Sequence, residues 1–301
     1  MYTDTAITEC DLDFLKGIII KGGPDECQYA TLEKNIAKLP ASADDLKDNE
    51  EIAGLLDSCK FLQDSCSIMG HIRNKPHGYA GDFEIIDRIY REDLSCKAHT
   101  AWDKYSLAHP AAAAVRNRKR YFKALIKSKL NTQKHLRLLN VASGPARDLF
   151  EAYTEKQAQN SLSTTCVEMD INAIAFAQNL NKQFIADINF INKNIFRFQT
   201  AQQFDLIWSA GLFDYFDEKS FVHLLKNFGK WAAPGGEIVI GNFNDEHNPS
   251  RKFMEIFGDW HLNHRSEQDL KFLAQQAGFC PSQITVGREE ENINLFLHIN
   301  C

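Results

Sequence analysis

The run Leu138-Leu139-Asn140-Val141-Ala142-Ser143-Gly144-Pro145-Ala146-Arg147-Asp148 sets an apolar strand before a turn of small residues and a helix. Small residues let a ligand approach the backbone, and the first turn of the helix offers N–H groups that lack an intrahelical acceptor. Such a turn serves either a nucleotide-type cofactor or close packing of strand on helix. Glu168 follows the next apolar run, Thr164-Thr165-Cys166-Val167, 24 residues beyond Gly144. A carboxylate at that place either accepts hydrogen bonds from both hydroxyls of a ribose or is simply solvated. Asp170 is a candidate cap for a helix beginning near Asn172. A dinucleotide needs several glycines where its pyrophosphate meets the backbone, and only Gly144 is present. The turn therefore suits a ligand without phosphate, such as a nucleoside bearing an amino acid.

Three further groups could do chemistry. Pro76-His77-Gly78-Tyr79-Ala80-Gly81-Asp82 combines two glycines with aromatic and ionisable residues ahead of a helix. It is either a lid carrying Tyr79 over a cleft or a packed turn with Asp82 as helix cap. Arg251 and Arg265 follow the fifth expected strand, where an arginine can hold a carboxylate or pair with Glu255 or Asp259. His261 and His264 lie beside Asp259 but lack a third ligand at a recognisable spacing, so no metal centre is expected. Ser143 and Ser209 are outside any G-x-S-x-G elbow, which leaves no hydrolase signature.

These residues need elements to position them. Residues 1–130 read as a helical region, with one buried face through Leu46, Ile52, Leu55, Leu56, Cys59 and Leu62 between Asp45 and Met69. A helix starting at Pro110 presents Val115, Phe122, Leu125, Ile126 and Leu130 on one side, and Arg116, Arg118, Lys119, Arg120 and Lys123 read as its solvated face. Residues 131–301 alternate short apolar runs with helical stretches, the signature of a parallel sheet. Strands are expected at Leu136–Val141, Ser163–Met169, Ile188–Ile191, Phe204–Ser209 and Glu237–Asn242, and a closing antiparallel hairpin at Gln283–Gly287 and Ile293–Ile299. Helices fit Arg147–Gln159, Asn172–Gln183, Glu218–Trp231 and Ser266–Gly278.

Composition narrows the class. A hydrophobic share of 44% and a charged share of 25% over 301 residues are globular values. The net charge of −6 comes without a basic block, which argues against a nucleic-acid partner. Eight scattered cysteines with no CxxC pair suit a reducing compartment, and neither a signal peptide nor an apolar span of about 20 residues is visible, so a cytoplasmic protein is expected.

The ordered set Leu139–Gly144, Val167-Glu168-Met169-Asp170, Asn194-Ile195, Phe204–Ser209 and Trp231–Ile238 resembles the motifs of class I methyltransferases over about residues 136–301. The resemblance implies a Rossmann-like α/β sheet of strand order 3-2-1-4-5-7-6 behind a helical N-terminal region, and S-adenosylmethionine as cofactor, with S-adenosylhomocysteine as product. It further implies a binding crevice made by Ala142, Ser143, Gly144, Glu168, Met169, Asn194, Ile195, Ser209, Ala210 and Gly211. Asn140 stands where the family usually has an acid, and Ala142 and Ala146 occupy positions often held by glycine. A narrower likeness rests on Lys75–Glu84, Ser209–Phe216, Asn248–Glu255 and Asp259–Leu262. These stretches look like those of bacterial methyltransferases that make 3-hydroxypalmitic acid methyl ester, a quorum-sensing signal. That likeness implies a small-molecule acceptor, a fatty-acid carboxylate held by Arg251 or Arg265 with Tyr79 over the site. Another oxygen or nitrogen acceptor, or a non-catalytic regulatory protein that binds the cofactor, is the alternative. Phe213, Tyr215, Phe216, Phe243, Phe253, Phe257 and Trp260 either line an acyl pocket or pack the core.

Overall fold

The computed structural model describes residues 7–40 and 50–301; Leu46 lies outside the described residues. Helices α1 (Glu9–Lys21), α2 (Tyr29–Ala37), α3 (Glu50–Asp57), α4 (Lys60–Gln63), α5 (Ile68–Asn74), α6 (Phe83–Arg91), α7 (Thr100–Ala108) and α8 (Pro110–Thr132) precede the first strand. Then follow β1 (His135–Val141), α9 (Arg147–Glu155), β2 (Ser161–Glu168), α10 (Ile171–Leu180), β3 (Ile188–Asn192), β4 (Phe204–Ser209), α11 (Glu218–Trp231) and β5 (Ala232–Phe243). The chain closes with α12 (Arg251–Gly258), α13 (Glu267–Gln276), β6 (Ile284–Arg288) and β7 (Asn294–Asn300). Among the described residues no helix is long and apolar enough to cross a membrane.

The contacts divide the chain into two compact units, one running to Ala113 and including Pro249–His261, the other comprising Ala114–Asn248 and Leu262–Cys301. This differs from a single division at residue 130, for two physical reasons. The Tyr121 ring stacks on Phe296 at 4.0 Å and Phe122 packs on Trp208 at 5.1 Å, which commits most of α8 to the sheet. Phe253 of α12 stacks on His109 at 4.2 Å and meets Tyr105 at 5.2 Å, which commits that segment to the helical unit.

In the helical unit, the single face expected between Asp45 and Met69 is carried by α3, α4 and the start of α5. The Ser67 hydroxyl accepts the Gly70 N–H, and an Asp64 carboxylate oxygen accepts that of Cys66. Side chains that bond their own backbone in this way compete with a continuous helix.

In the sheet unit, seven strands follow the order β3-β2-β1-β4-β5-β7-β6. β1 to β5 are parallel and β7 runs antiparallel to both β5 and β6. Leu138, Leu206, Trp208, Val239 and Phe296 cluster with Phe122, Leu149 and Tyr153. Their neighbours Leu139, Ile207, Ile238, Ile240 and Leu297 cluster instead with Phe221, Leu224, Phe228 and Leu270. Burial on both faces is why the strands read as nearly continuous apolar runs. β5 begins at Ala232 instead of Glu237, with a register shift opposite Phe204 and Leu206 and with Gly235 at φ +76°. The Pro234-Gly235-Gly236 stretch is thus a bulge inside the strand, a conformation that glycine tolerates.

Arg137 on β1 and Asp205 on β4 pin the centre of the sheet. The carboxylate accepts the Arg137 backbone N–H at 2.8 Å, Nε at 3.0 Å and Nη2 at 2.6 Å. Burial tends to raise the Asp205 pKa, but the Arg137 bonds outweigh it and hold the carboxyl below its usual value. A depressed folded-state pKa stabilises above the unfolded value of about 3.9 and loses that stabilisation as pH falls through the folded value. Asp205→Asn is expected to lower the unfolding free energy by about 1 kcal/mol at pH 7. In urea titrations the gap to wild type should close as pH falls through the depressed folded value; a gap that persists in acid would remove ionisation as its cause.

Candidate cofactor site

The site begins with a turn that most residues resist. After β1, Ala142, Gly144 and Ala146 all have left-handed backbones, with φ of 53°, 52° and 49°. For a residue with a Cβ this conformation costs roughly 1–2 kcal/mol. Three hydrogen bonds hold it: Ala142 N–H to the Val167 carbonyl at 2.9 Å, Gly144 N–H to Glu168 Oε2 at 3.0 Å, and Ala146 N–H to the Ser143 carbonyl at 3.0 Å. The Ala146 methyl is fully buried where α9 begins. Glu168 also accepts the N–H groups of Met169 and Asp170 through Oε1, at 2.7 and 3.0 Å. Asp170 caps α10 by accepting the Asn172 N–H at 2.8 Å.

Among the buried polar atoms at this turn without a hydrogen-bond partner are Asn140 Nδ2 on β1 and Ser209 Oγ at the end of β4. A buried polar group left unmade costs about 1–3 kcal/mol, so their presence points to a polar ligand that completes them. At the end of β2, Met169 is 67% exposed and Ile171 59% exposed. Asn194 Nδ2 approaches Met169 Sδ at 3.5 Å, and its Oδ1 accepts the Phe196 N–H at 2.9 Å, with Ile195 buried between them in sequence. β3, β2, β1 and β4 are consecutive in the sheet, so their C-terminal ends bring Asn194-Ile195, Glu168-Met169, Ala142–Gly144 and Ser209–Gly211 along one edge. Ligands of open α/β sheets collect at such an edge.

Arg118 belongs to this edge, although charge made it read as solvated. Its Nη1 donates to the Ala210 carbonyl at 2.6 Å, and a Cβ on Gly211 would lie 3.2 Å from the same atom. Buried Asp148 and Asp214 both feel the Arg118 charge; burial nevertheless pushes each carboxyl up to about 6. Asp214 also accepts the Phe243 N–H at 2.7 Å. The available signal was spacing: Val115, Arg118, Phe122 and Ile126 step along one helical face, and all four are buried.

The three residues expected to act on the acceptor have the following surroundings. Arg265, in the sheet unit, is buried, and its Nη1 donates to the Phe213 carbonyl at 3.0 Å and to Asn242 Oδ1 at 2.7 Å. Its Nη2 donates to the Phe216 carbonyl, and the guanidinium lies 4.9 Å from the Phe221 ring centroid. These bonds make it the anchor of the 213–216 loop. Arg251, in the helical unit, pairs through Nε with Glu255 at 2.9 Å, with its side chain 44% exposed. Tyr79, also in the helical unit, sits in the turn between α5 and α6, where Asp82 accepts the N–H groups of Glu84 and Ile85 as a helix cap. His261 pairs with Asp259 at 3.2 Å, and His264 with Asn248 at 3.0 Å.

A family profile described as a methyltransferase domain matches residues 132–284, half of the chain. The chain belongs to that family. It is a methyltransferase, and S-adenosylmethionine is its methyl donor. Among solved structures it is similar to a possible exported protein from Bordetella parapertussis, at 15% identity and a TM-score of 0.61, covering 97% of this chain and 95% of that one. It is also similar to the S-adenosylmethionine-dependent methyltransferase SibL in its apo form, at 14% identity and a TM-score of 0.52, covering 97% and 96%. Both likenesses establish the fold over nearly the whole chain. Among curated proteins none matches.

Unpartnered Asn140 Nδ2 and Ser209 Oγ, the exposed Met169 and the Glu168 carboxylate fit a nucleoside that carries an amino acid. Glu168→Gln keeps one acceptor oxygen but replaces the other with an amide NH2 and removes the charge, so it should weaken S-adenosylmethionine binding by about 1–3 kcal/mol in isothermal titration. Undiminished affinity in a folded Glu168→Gln protein would take the carboxylate out of the site.

Proposed function

We propose that this methyltransferase esterifies the carboxylate of a small acyl acceptor, a 3-hydroxy fatty acid first among them, in quorum-signal synthesis. Methyl transfer rests on the strained turn at Ala142–Ala146 and the unpartnered polar atoms at the sheet edge. The acyl acceptor rests on the resemblance carried by Lys75–Glu84, Ser209–Phe216 and Asn248–Leu262. A carboxylate with a pKa near the model value of about 4.3 is ionised at neutral pH and needs no general base. The protein's task is then to hold nucleophile, methyl carbon and sulfur in line and to exclude water. Tyr79 would serve as the lid residue in that closure. The scattered spacing of the eight cysteines, without a CxxC pair, suits the reducing cytoplasm.

Arg118, Asp148 and Asp214 complement the zwitterionic end of the donor, the arginine facing its carboxylate and an aspartate its ammonium. This arrangement supplies the anion that Asn140 does not. Because burial sets both aspartates near pH 6, the charged form is present at pH 7 and lost below. Affinity for S-adenosylmethionine should therefore fall several-fold between about pH 7 and pH 5. The carboxylates do not meet the ammonium if titrations give the same Kd across that range.

With Arg265 spent on the 213–216 loop, Arg251 is the residue proposed to hold the acceptor, sharing its guanidinium between Glu255 and the incoming carboxylate. A carboxylate moved from water into an apolar pocket is strongly penalised unless paired. Arg251→Ala should lose most turnover on 3-hydroxypalmitic or palmitic acid, Arg251→Lys should keep part of it, and neither should shift donor affinity. Methylation of a phenol or amine with no turnover on any long-chain acid would end the carboxylate reading and leave methyl transfer intact.

A further inference from the structure

The Pro76–Asp82 turn carries chemistry that methyl transfer does not use. His71 on α5 and Asp82 at the start of α6 are both buried, and His71 Nε2 lies 2.8 Å from Asp82 Oδ2. His77, from the turn between them, completes a cluster in which one donor atom from each of the three residues lies within 4.8 Å of the others. A buried histidine–aspartate pair needs no second imidazole. Two imidazoles converging on one carboxylate are instead the donor set of a transition-metal dication, which binds them neutral and takes the place of the shared proton.

The surroundings are those of a formed site. Asp82 Oδ1 accepts the N–H groups of Glu84 and Ile85 at 3.0 and 2.9 Å, which fixes the carboxylate and leaves Oδ2 turned toward the histidines. Such outer bonds orient metal ligands. The His77 ring packs on Phe83 at 4.6 Å, and its side chain remains 22% exposed, which opens the site to solvent. Glu84 Oε2 lies 3.2 Å from His77 Nε2 and so holds that ring from outside the cluster. Two nitrogens and a carboxylate oxygen select zinc and its first-row neighbours over calcium and magnesium, which prefer oxygen alone. Bonds of about 2.0–2.2 Å require the donor atoms to close to about 3.4 Å, a movement open to His77 in its turn.

We infer that His71, His77 and Asp82 form a zinc-type metal site that clasps the turn carrying Tyr79 to α5 and α6. This inference does not depend on the acceptor or on methyl transfer. The test uses the full chain after chelator treatment, titrated with zinc chloride alone and, separately, with cobalt(II) chloride. One equivalent of zinc should bind and raise Tm, and the cobalt complex should show a visible ligand-field band without thiolate-to-metal charge transfer. His71 and Asp82 are fully buried, so the diagnostic variant is the half-buried His77→Gln, with its fold checked by circular dichroism. It should weaken binding at least about tenfold. No uptake of either metal, a thiolate charge-transfer band that places the metal on cysteine, or wild-type affinity in His77→Gln would each overturn the inference.

Discussion

Glu168 is the buckle on which the site depends. Its two oxygens collect backbone N–H groups from both sides of the sheet edge, Gly144 from the turn after β1 and Met169 and Asp170 from the turn after β2. The bond to Gly144 is possible because β1 and β2 pair in parallel with Val141 opposite Val167, so the two chain reversals begin side by side. A slip of one residue in that register would turn the Glu168 side chain to the other face and release the turn. With the turn held left-handed at three places, α9 starts just after Ala146 and the end of β1 stays open to a ligand.

Much of this is legible in the amino-acid sequence. Strands buried on both faces leave unbroken apolar runs, and β4 and α11 fall at the expected residues, Phe204–Ser209 and Glu218–Trp231. Boundaries slipped where local bonding competes with period. Ser67 and Asp64 break the face between Asp45 and Met69 into separate helices, and the Pro234–Gly236 bulge extends β5 back to Ala232, ahead of the expected start at Glu237. Alanine at Ala142 and Ala146 looked like a departure from a glycine pattern. Both residues nevertheless hold the left-handed backbone, so the turn keeps its shape at the cost of strain. Sequence cannot reveal this, because alanine seldom adopts that conformation unless tertiary bonds impose it.

Arg118 and Arg265 show the opposite kind of concealment. Charge argued for solvent or for a substrate, whereas position on a helical face, for Arg118, and a dense set of carbonyl acceptors, for Arg265, argued for burial. Long-range acceptors such as the Phe213 and Ala210 carbonyls have no sequence signature, since they are assembled only when β4 and its loop fold back.

Stability alone does not account for this concentration of buried charge. Replacing a buried ion pair by well-packed apolar residues is often neutral or favourable, whereas leaving one partner unpaired costs several kcal/mol. Arg265 is saturated by carbonyls and by Asn242, so its role as an anchor is complete within the protein. Arg118 is different in kind. It lies at the C-terminal edge of the strands, bonded to the Ala210 carbonyl, and its charge reaches two buried aspartates whose carboxyls burial pushes up to about 6. A charge set that is costly to bury is in keeping with the zwitterionic ligand proposed for this edge. Asn140 Nδ2 and Ser209 Oγ, on neighbouring strands, add unpartnered polar atoms to the same edge, which is what the proposed donor site requires.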